Sequence, residues 1–395
     1  MNRYGAWRAT AVVAAVVTGV AALPAMASAA TFYQLRYLDT GPHTDSVAAA
    51  DVTGDGRPDI VVGVGAASNE ETSSLLVYAQ QPNLGYGAPR RIVAHGGWGL
   101  DVRVAVGDID GDGRTDAALA TPAGVDVFHQ RAGQLTDPTL VAAGHPAADV
   151  ALSDVDGDRR TDLVVSRMPG TVAVHRQTAS GAFGAPVTLT GPDAGSVPGQ
   201  QVFAADFNGD GRPDVAQVTG AGAWVRTQLT GGSFAAATSH LVAPNADGYR
   251  WPVGGAAVGD VTGDGRTDLV LATDANISNS RLNVFAGRAG GLPTGPAVVP
   301  AYDGATSLAV GDMTGDGRND VVAAHSGWKT VSVTPQLADG TLGVYRRVPV
   351  TNTVRAVDGV AVAYLNGDGR RDIVSIGYEA VAVLTTVSGS PGGSA

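Results

Sequence analysis

The chain has 395 residues, with 26 Lys and Arg against 37 Asp and Glu, a net charge of −11 and no cysteine. An acidic chain offers no electrostatic footprint for nucleic acid or an anionic membrane, and the lack of thiols excludes disulfide frameworks, thiolate catalysis and cysteine-based zinc sites. The acids are skewed: apart from Glu70, Glu71 and Glu379 all are aspartate, so the sequence draws on the shorter carboxylate.

Residues 1–30 read as a secretory signal peptide. Arg3 and Arg8 open it, Ala9 to Leu23 form its apolar run, and small residues place cleavage after Ala29, with Ala30 as the alternative. A membrane anchor would need about 20 apolar residues, so export without membrane insertion is expected.

From there a nine-residue motif, D-x-[D/N/T]-G-D-G-R-x-D, recurs seven times, starting at Asp51, Asp108, Asp154, Asp206, Asp260 and Asp312 and in worn form at Tyr364. The spacings of 57, 46, 52, 54, 52 and 52 residues account for nearly the whole chain after the signal, as one repeat architecture. Each motif follows a short run of small apolar residues such as Val47–Ala50 and precedes a Val/Ile/Leu run such as Asp59–Val62. An alternating segment (Leu75–Tyr78, Val125–Phe128), a Gly-rich turn and a fourth extended segment (Arg91–Val93, Val187–Leu189) complete the unit. Short β-branched runs between turn signals predict four strands per repeat, and seven such units predict an all-β, seven-bladed propeller over residues 31–387.

The seventh repeat ends after its third strand, Val381–Leu384. Residues 31–39 are therefore expected to supply the missing outer strand and close the ring. Residues 388–395 read as a Gly/Ser tail.

With Tyr86-Gly-Ala-Pro89 and Phe183-Gly-Ala-Pro186 ahead of the fourth strands, the repeats resemble the FG-GAP/VCBS family, whose members include the seven-bladed head of integrin α subunits. The resemblance implies partner binding on the face away from the aspartate loops.

Calcium takes six to eight oxygen ligands at flexible geometry, and Asp delivers an oxygen without crowding a tight turn. Motif positions 1, 3, 5 and 9 are the expected side-chain donors, with the backbone carbonyl of position 7; glycines at 4 and 6 permit the wrap. The candidate ligands are Asp51, Thr53, Asp55, Arg57 and Asp59 in the first loop, and Asp108, Asp110, Asp112, Arg114 and Asp116 in the second. They continue as Asp154, Asp156, Asp158, Arg160 and Asp162, then Asp206, Asn208, Asp210, Arg212 and Asp214. Asp260, Thr262, Asp264, Arg266 and Asp268 follow, then Asp312, Thr314, Asp316, Arg318 and Asp320, and Asn366, Asp368, Arg370 and Asp372 in the worn loop. An EF-hand is excluded because Val62 and Leu119 stand where its twelfth-position Glu would be.

A purely geometric Asp/Gly turn could explain one such loop; seven with acids at fixed offsets favour metal, about six structural calcium ions. The second loop, with four carboxylates and both glycines, should bind best. In the third, Arg159 replaces a glycine and should strain the turn, and Tyr364 should leave the seventh weak or empty. The position-7 arginines have two readings: a basic ring for an anion, or carbonyl donors whose side chains pair with nearby carboxylates.

The face opposite the loops should carry the blade-to-blade and second-to-third strand connections. There Trp98, Tyr249, Trp251, Trp328 and Tyr378 are candidate contacts for sugar stacking or a protein hot spot. No nucleophile-elbow, zincin or phosphate-loop pattern occurs, and Lys329 is the only lysine. The expected function is a secreted, monomeric, calcium-stabilised binding or adhesion module for an extracellular glycan or protein. A polysaccharide-cleaving enzyme and a purely structural wall protein are the alternatives.

Overall fold

The structure, a computed structural model, describes residues 32–41, 43–66, 68, 71–97, 101–168, 170–190, 201–245, 248–273, 280–325, 328–350, 359–377 and 380–387. The signal segment, Trp98, Tyr378 and the 388–395 tail lie outside them. The described residues form seven four-stranded antiparallel sheets and no helix. The first blade consists of Thr44–Ala50, Asp59–Val64, Ser74–Tyr78 and Arg90–Val93, paired in chain order. The next five blades repeat this order, and first strands contact one another around the ring, the seventh blade's against the first blade's.

The sequence pattern explains the burial gradient across a blade. Second strands such as Asp162–Arg167 and Asp268–Thr273 are buried at every residue, because a neighbouring blade covers each face. Fourth strands such as Val187–Thr190 and Arg346–Pro349 stand at the rim, largely exposed. There is accordingly no single core. Seven hydrophobic clusters fill the seven interfaces between blades, as radial repetition requires.

Closure is as expected. Phe32–Asp39 pairs antiparallel with Ala380–Val387 over eight residue pairs, from Phe32 opposite Val387 to Asp39 opposite Ala380. Leu38 sinks into the cluster shared by the last and first blades, with Val381 and Ile60. The second blade differs in two ways: its fourth strand, Thr139–Val141, has only three residues, and a small hairpin, Gln130–Arg131 with Gln134–Leu135, precedes it.

Polar side chains of first strands stitch several blades to the next. Asp45 Oδ2 accepts the Val102 N–H at 3.1 Å, Asp149 Oδ2 the Val202 N–H at 2.8 Å, and Ser307 Oγ the Val360 N–H at 3.0 Å. Burial, assisted by the charge of Asp101, pushes the Asp45 carboxyl up to about 7. Between pH ~4 and ~7 the folded chain thus holds a proton that the unfolded chain has released, so this group costs stability as pH rises and adds no further slope above pH ~7. Asp45→Asn, which keeps an acceptor for Val102, is expected to remove that slope. Its advantage over the parent chain in urea unfolding should grow from near zero at pH 4 to roughly 2 kcal/mol at pH 8, part of the ~1.4 kcal/mol per pH unit of full burial. An advantage that does not change with pH contradicts the assignment.

Candidate metal loops and the opposite face

Each motif forms the connection from first to second strand, so all seven loops open on one end of the ring. The loop is organised around its first aspartate. Asp51 Oδ1 accepts N–H bonds from Gly54 and Asp55 at 2.6 and 3.1 Å, and Oδ2 accepts from Gly56 at 2.7 Å. Asp108 and Asp206 bind the same three backbone groups in their loops. Gly54 and Gly56 have φ of 73° and 82°, where a side chain is disfavoured. Arg159 occupies the equivalent of Gly56 at φ 68°. Arg159→Gly is expected to stabilise the chain by about 0.5–1 kcal/mol, the relief of a left-handed conformation less the added freedom of the unfolded chain. Denaturant unfolding in chelator checks this, and a loss of stability contradicts it.

The ninth-position aspartates lie deeper than their spacing suggests. All seven, Asp59, Asp116, Asp162, Asp214, Asp268, Asp320 and Asp372, are 0% exposed. In each loop one oxygen accepts the N–H of the second motif residue or of a group beside it, and the other accepts an N–H at the end of the third strand. Asp268 Oδ2 takes Val261 and Thr262 at 2.8 and 2.9 Å, while Oδ1 takes Gly287 at 2.8 Å. This carboxylate therefore joins loop to blade as well as facing the loop interior. Burial pushes up the carboxyls of Asp59, Asp268, Asp320 and Asp372, and those of Asp162 and Asp214 to about 6.

Two repeated positions escaped the sequence reading. The second motif residue (Val52, Ile109, Val155, Phe207, Val261, Met313, Leu365) is at most 2% exposed in every loop and anchors it in an inter-blade cluster. A glutamine follows the third strand in five blades: Gln80, Gln130, Gln177, Gln228 and Gln336. Gln80 Nε2 donates to Leu365 O at 2.7 Å and Gln177 Nε2 to Ile109 O at 2.8 Å, and Gln228 Nε2 donates to Val155 O, tying the first, third and fourth blades to the loop of the one before. Their recurrence just past the alternating segment was the available signal.

The position-7 side chains do not form a ring of free cations. Arg114 pairs with Asp112 at 2.8 Å and Arg266 with Asp264 at 3.6 Å; Arg57, Arg160, Arg212 and Arg318 also pair with the fifth-position aspartates of their own loops. In the second loop Arg131 adds contacts to Asp110 and Asp112.

The donor set fits a hard cation. Ligand oxygens of Asp108, Asp110 and Asp112 lie within 4.8 Å of one another, as do those of Asp154, Asp156 and Asp162. The hydroxyl oxygen of Thr314 is buried without a hydrogen-bond partner; those of Thr53 and Thr262 are also buried without a well-formed bond, leaning on Asp59 and Asp268. Unsatisfied oxygens at motif position 3 are what a metal ligand leaves in the bare loop. The second loop also offers nitrogen, with His129 Nδ1 3.2 Å from Asp116 and 3.4 Å from Asp110. In the seventh loop Tyr364 is half-exposed beneath the Arg371 guanidinium, while Asp368 is held by the Thr386 hydroxyl at 2.7 Å.

At the other end of the ring the predicted contact residues fall into separate groups. Tyr249, 56% exposed, meets Trp251 edge-on at 5.2 Å between ring centroids. Trp328, 41% exposed, packs against Tyr302, which also touches His325 and lies beneath the Arg347 guanidinium.

Among solved structures, the fold is similar to that of an Agrocybe aegerita lectin, described as specifically recognising non-reducing terminal N-acetylglucosamine. That match has 22% identity, a TM-score of 0.59, and covers 88% of this chain and 86% of the lectin. BBS1N, solved in complex with ARL6DN, matches at 10% identity and a TM-score of 0.56, over 90% of this chain and 98% of that one. A search of the curated proteins returned no match. The model of the FG-GAP-like repeat matches residues 108–165, 154–217, 206–271, 260–323 and 312–375 in overlapping succession, and that of the FG-GAP repeat matches 44–78. With its loops, blades and ring closure following that pattern, the chain belongs to the FG-GAP repeat family as a seven-bladed β-propeller of the integrin α-like kind.

Proposed function

We propose that the protein is a secreted, calcium-stabilised propeller that binds an extracellular glycan. The observation that carries the binding reading is the division of the ring. Carboxylate loops occupy one end, while partly exposed aromatic groups, Tyr249 with Trp251 and Trp328 with Tyr302, occupy the other. Exposed aromatic faces beside polar groups suit sugar rings, and the likeness to a lectin propeller is consistent with this use. The apolar N-terminal run after Arg3 and Arg8 supports export.

Calcium would be held by the side chains at positions 1, 3, 5 and 9 and the position-7 carbonyl of the six loops that begin with aspartate, where it would supply a compensating positive charge. The chain's own residues supply the rest: first-position aspartates shape the turn and ninth-position aspartates fasten it to the blade. The role of the metal is architectural. A glycan array probed with the purified chain, beside a polysaccharide turnover assay, tests the reading. Retention without turnover is expected. New reducing ends or unsaturated products would favour a polysaccharide-cleaving enzyme, and neither signal would favour a structural wall protein.

A further inference from the structure

The interface between the second and third blades opens into a groove of about 700 Å³ on the flank of the ring. It opens beside the shortest repeat, 46 residues, and the three-residue outer strand Thr139–Val141. Arg167 and His175 lie in this groove, 7% and 5% exposed. The residue opposite motif position 10 is an aromatic plug in three blades: Tyr78 faces Ile60, Phe128 faces Ala117 and Phe285 faces Leu269. In the third blade His175 takes that place, opposite Leu163.

Arg167 Nη2 lies 2.7 Å from His175 Nε2, and His175 Nδ1 lies 3.2 Å from the Gly184 carbonyl. The carbonyl can only accept, so it fixes the proton on Nδ1 and leaves Nε2 to accept from the arginine. Arg167 Nε is buried with no hydrogen-bond partner, and among the described residues no carboxylate forms an ion pair with it. Burial lowers its pKa with nothing to offset the effect. A buried guanidinium without a counter-charge is costly, and its partner, His175, stands where three other blades place an aromatic ring.

We propose that this groove binds the carboxylate of an acidic sugar, a uronate presented by a glycan. The carboxylate would meet the unpaired face of Arg167, a charge-assisted contact, while Phe183 and Leu140 offer apolar walls to the sugar ring and His145 stands at the exposed mouth. A volume of this size is ordinary for a small-ligand site. The choice of a sugar as carrier rests on the glycan-binding reading above; the need for an anion rests on Arg167 alone.

The test is an NMR titration of the full calcium-loaded chain with methyl β-glucuronoside, methyl β-glucoside, acetate and a tetra-aspartate peptide. Saturable binding of the glucuronoside is expected, at least tenfold tighter than any other probe. Arg167→Met should weaken it at least tenfold while leaving Tm unchanged or higher, because it removes an unpaired buried charge. Ala185→Trp, at an exposed position on the groove wall, should block binding without touching the core, which covers the case in which the first variant fails to fold. Equal binding of the glucoside, unaltered binding by either folded variant, or no glucuronoside binding overturns the proposal. Tighter binding of acetate or the peptide overturns the sugar assignment. Retention of neutral glycans on the array without glucuronoside binding removes this inference alone; an array that retains nothing removes the glycan reading too.

Discussion

Chelation is expected to lower the melting temperature of the protein by about 10 °C. Extracellular calcium modules bind with Kd values of roughly 10⁻⁴–10⁻³ M, and at tenfold excess over Kd a site that exists only in the folded state stabilises it by about 1.4 kcal/mol. Six loops carry an acid at position 1, and only Tyr364 breaks the series. Six such sites would contribute about 8 kcal/mol, against an unfolding entropy of roughly 0.7 kcal/mol per degree for a chain of this length. With no cysteine in the sequence, no disulfide takes over this task. Restoring calcium at millimolar concentration should recover the full shift. Magnesium should recover little of it, because it demands near-octahedral geometry and gives up water reluctantly. A scanning-calorimetry trace unchanged by chelator would remove the stabilising role of the loops.

Asp268→Ala is expected to cost about 3–5 kcal/mol even in chelator. The side chain is 0% exposed and accepts from Val261, Thr262 and Gly287 at 2.8–2.9 Å. Removing it strands three backbone N–H groups, at about 1–3 kcal/mol for each that stays dry. Asp264→Ala in the same loop is the control. Its carboxylate is partly exposed, accepts the Arg266 N–H at 2.9 Å and pairs loosely with the Arg266 side chain, so its loss should cost within about 0.5 kcal/mol without metal and act mainly through calcium affinity. Urea unfolding of both variants, with and without calcium, separates scaffold from ligand. Equal losses in chelator would contradict the division of labour between positions 5 and 9.

The ring was legible because its period is written in residues that do one local thing. Asp at position 1 and Gly at 4 and 6 describe a turn, the apolar run after position 9 a doubly buried strand, and the shortfall after Leu384 a vacancy that Phe32–Asp39 fills. Apart from that closure, side-chain contacts between segments remote in sequence were not legible. Spacing places Asp59 on the loop but does not reveal that the Gln80 N–H comes down to it at 2.9 Å, or that Gln80 reaches on to Leu365 in the last blade. The pairing of Arg167 with His175 depends on both facing the same side of the sheet with Ala173 between them. The groove beside them depends on a neighbouring blade having a short outer strand. The aromatic connections were identified as a class, yet which of them meet, Tyr249 with Trp251 and Tyr302 with Trp328, is set by how the connections fold back over the blades.

The most direct test of calcium as the clamp of this ring is the calcium bound at equilibrium, measured by inductively coupled plasma mass spectrometry as the excess on the protein side of a dialysis against calcium at about ten times Kd. About six calcium ions per chain are expected, falling by one in Asp264→Ala. No bound calcium above the free level in that dialysis would contradict it.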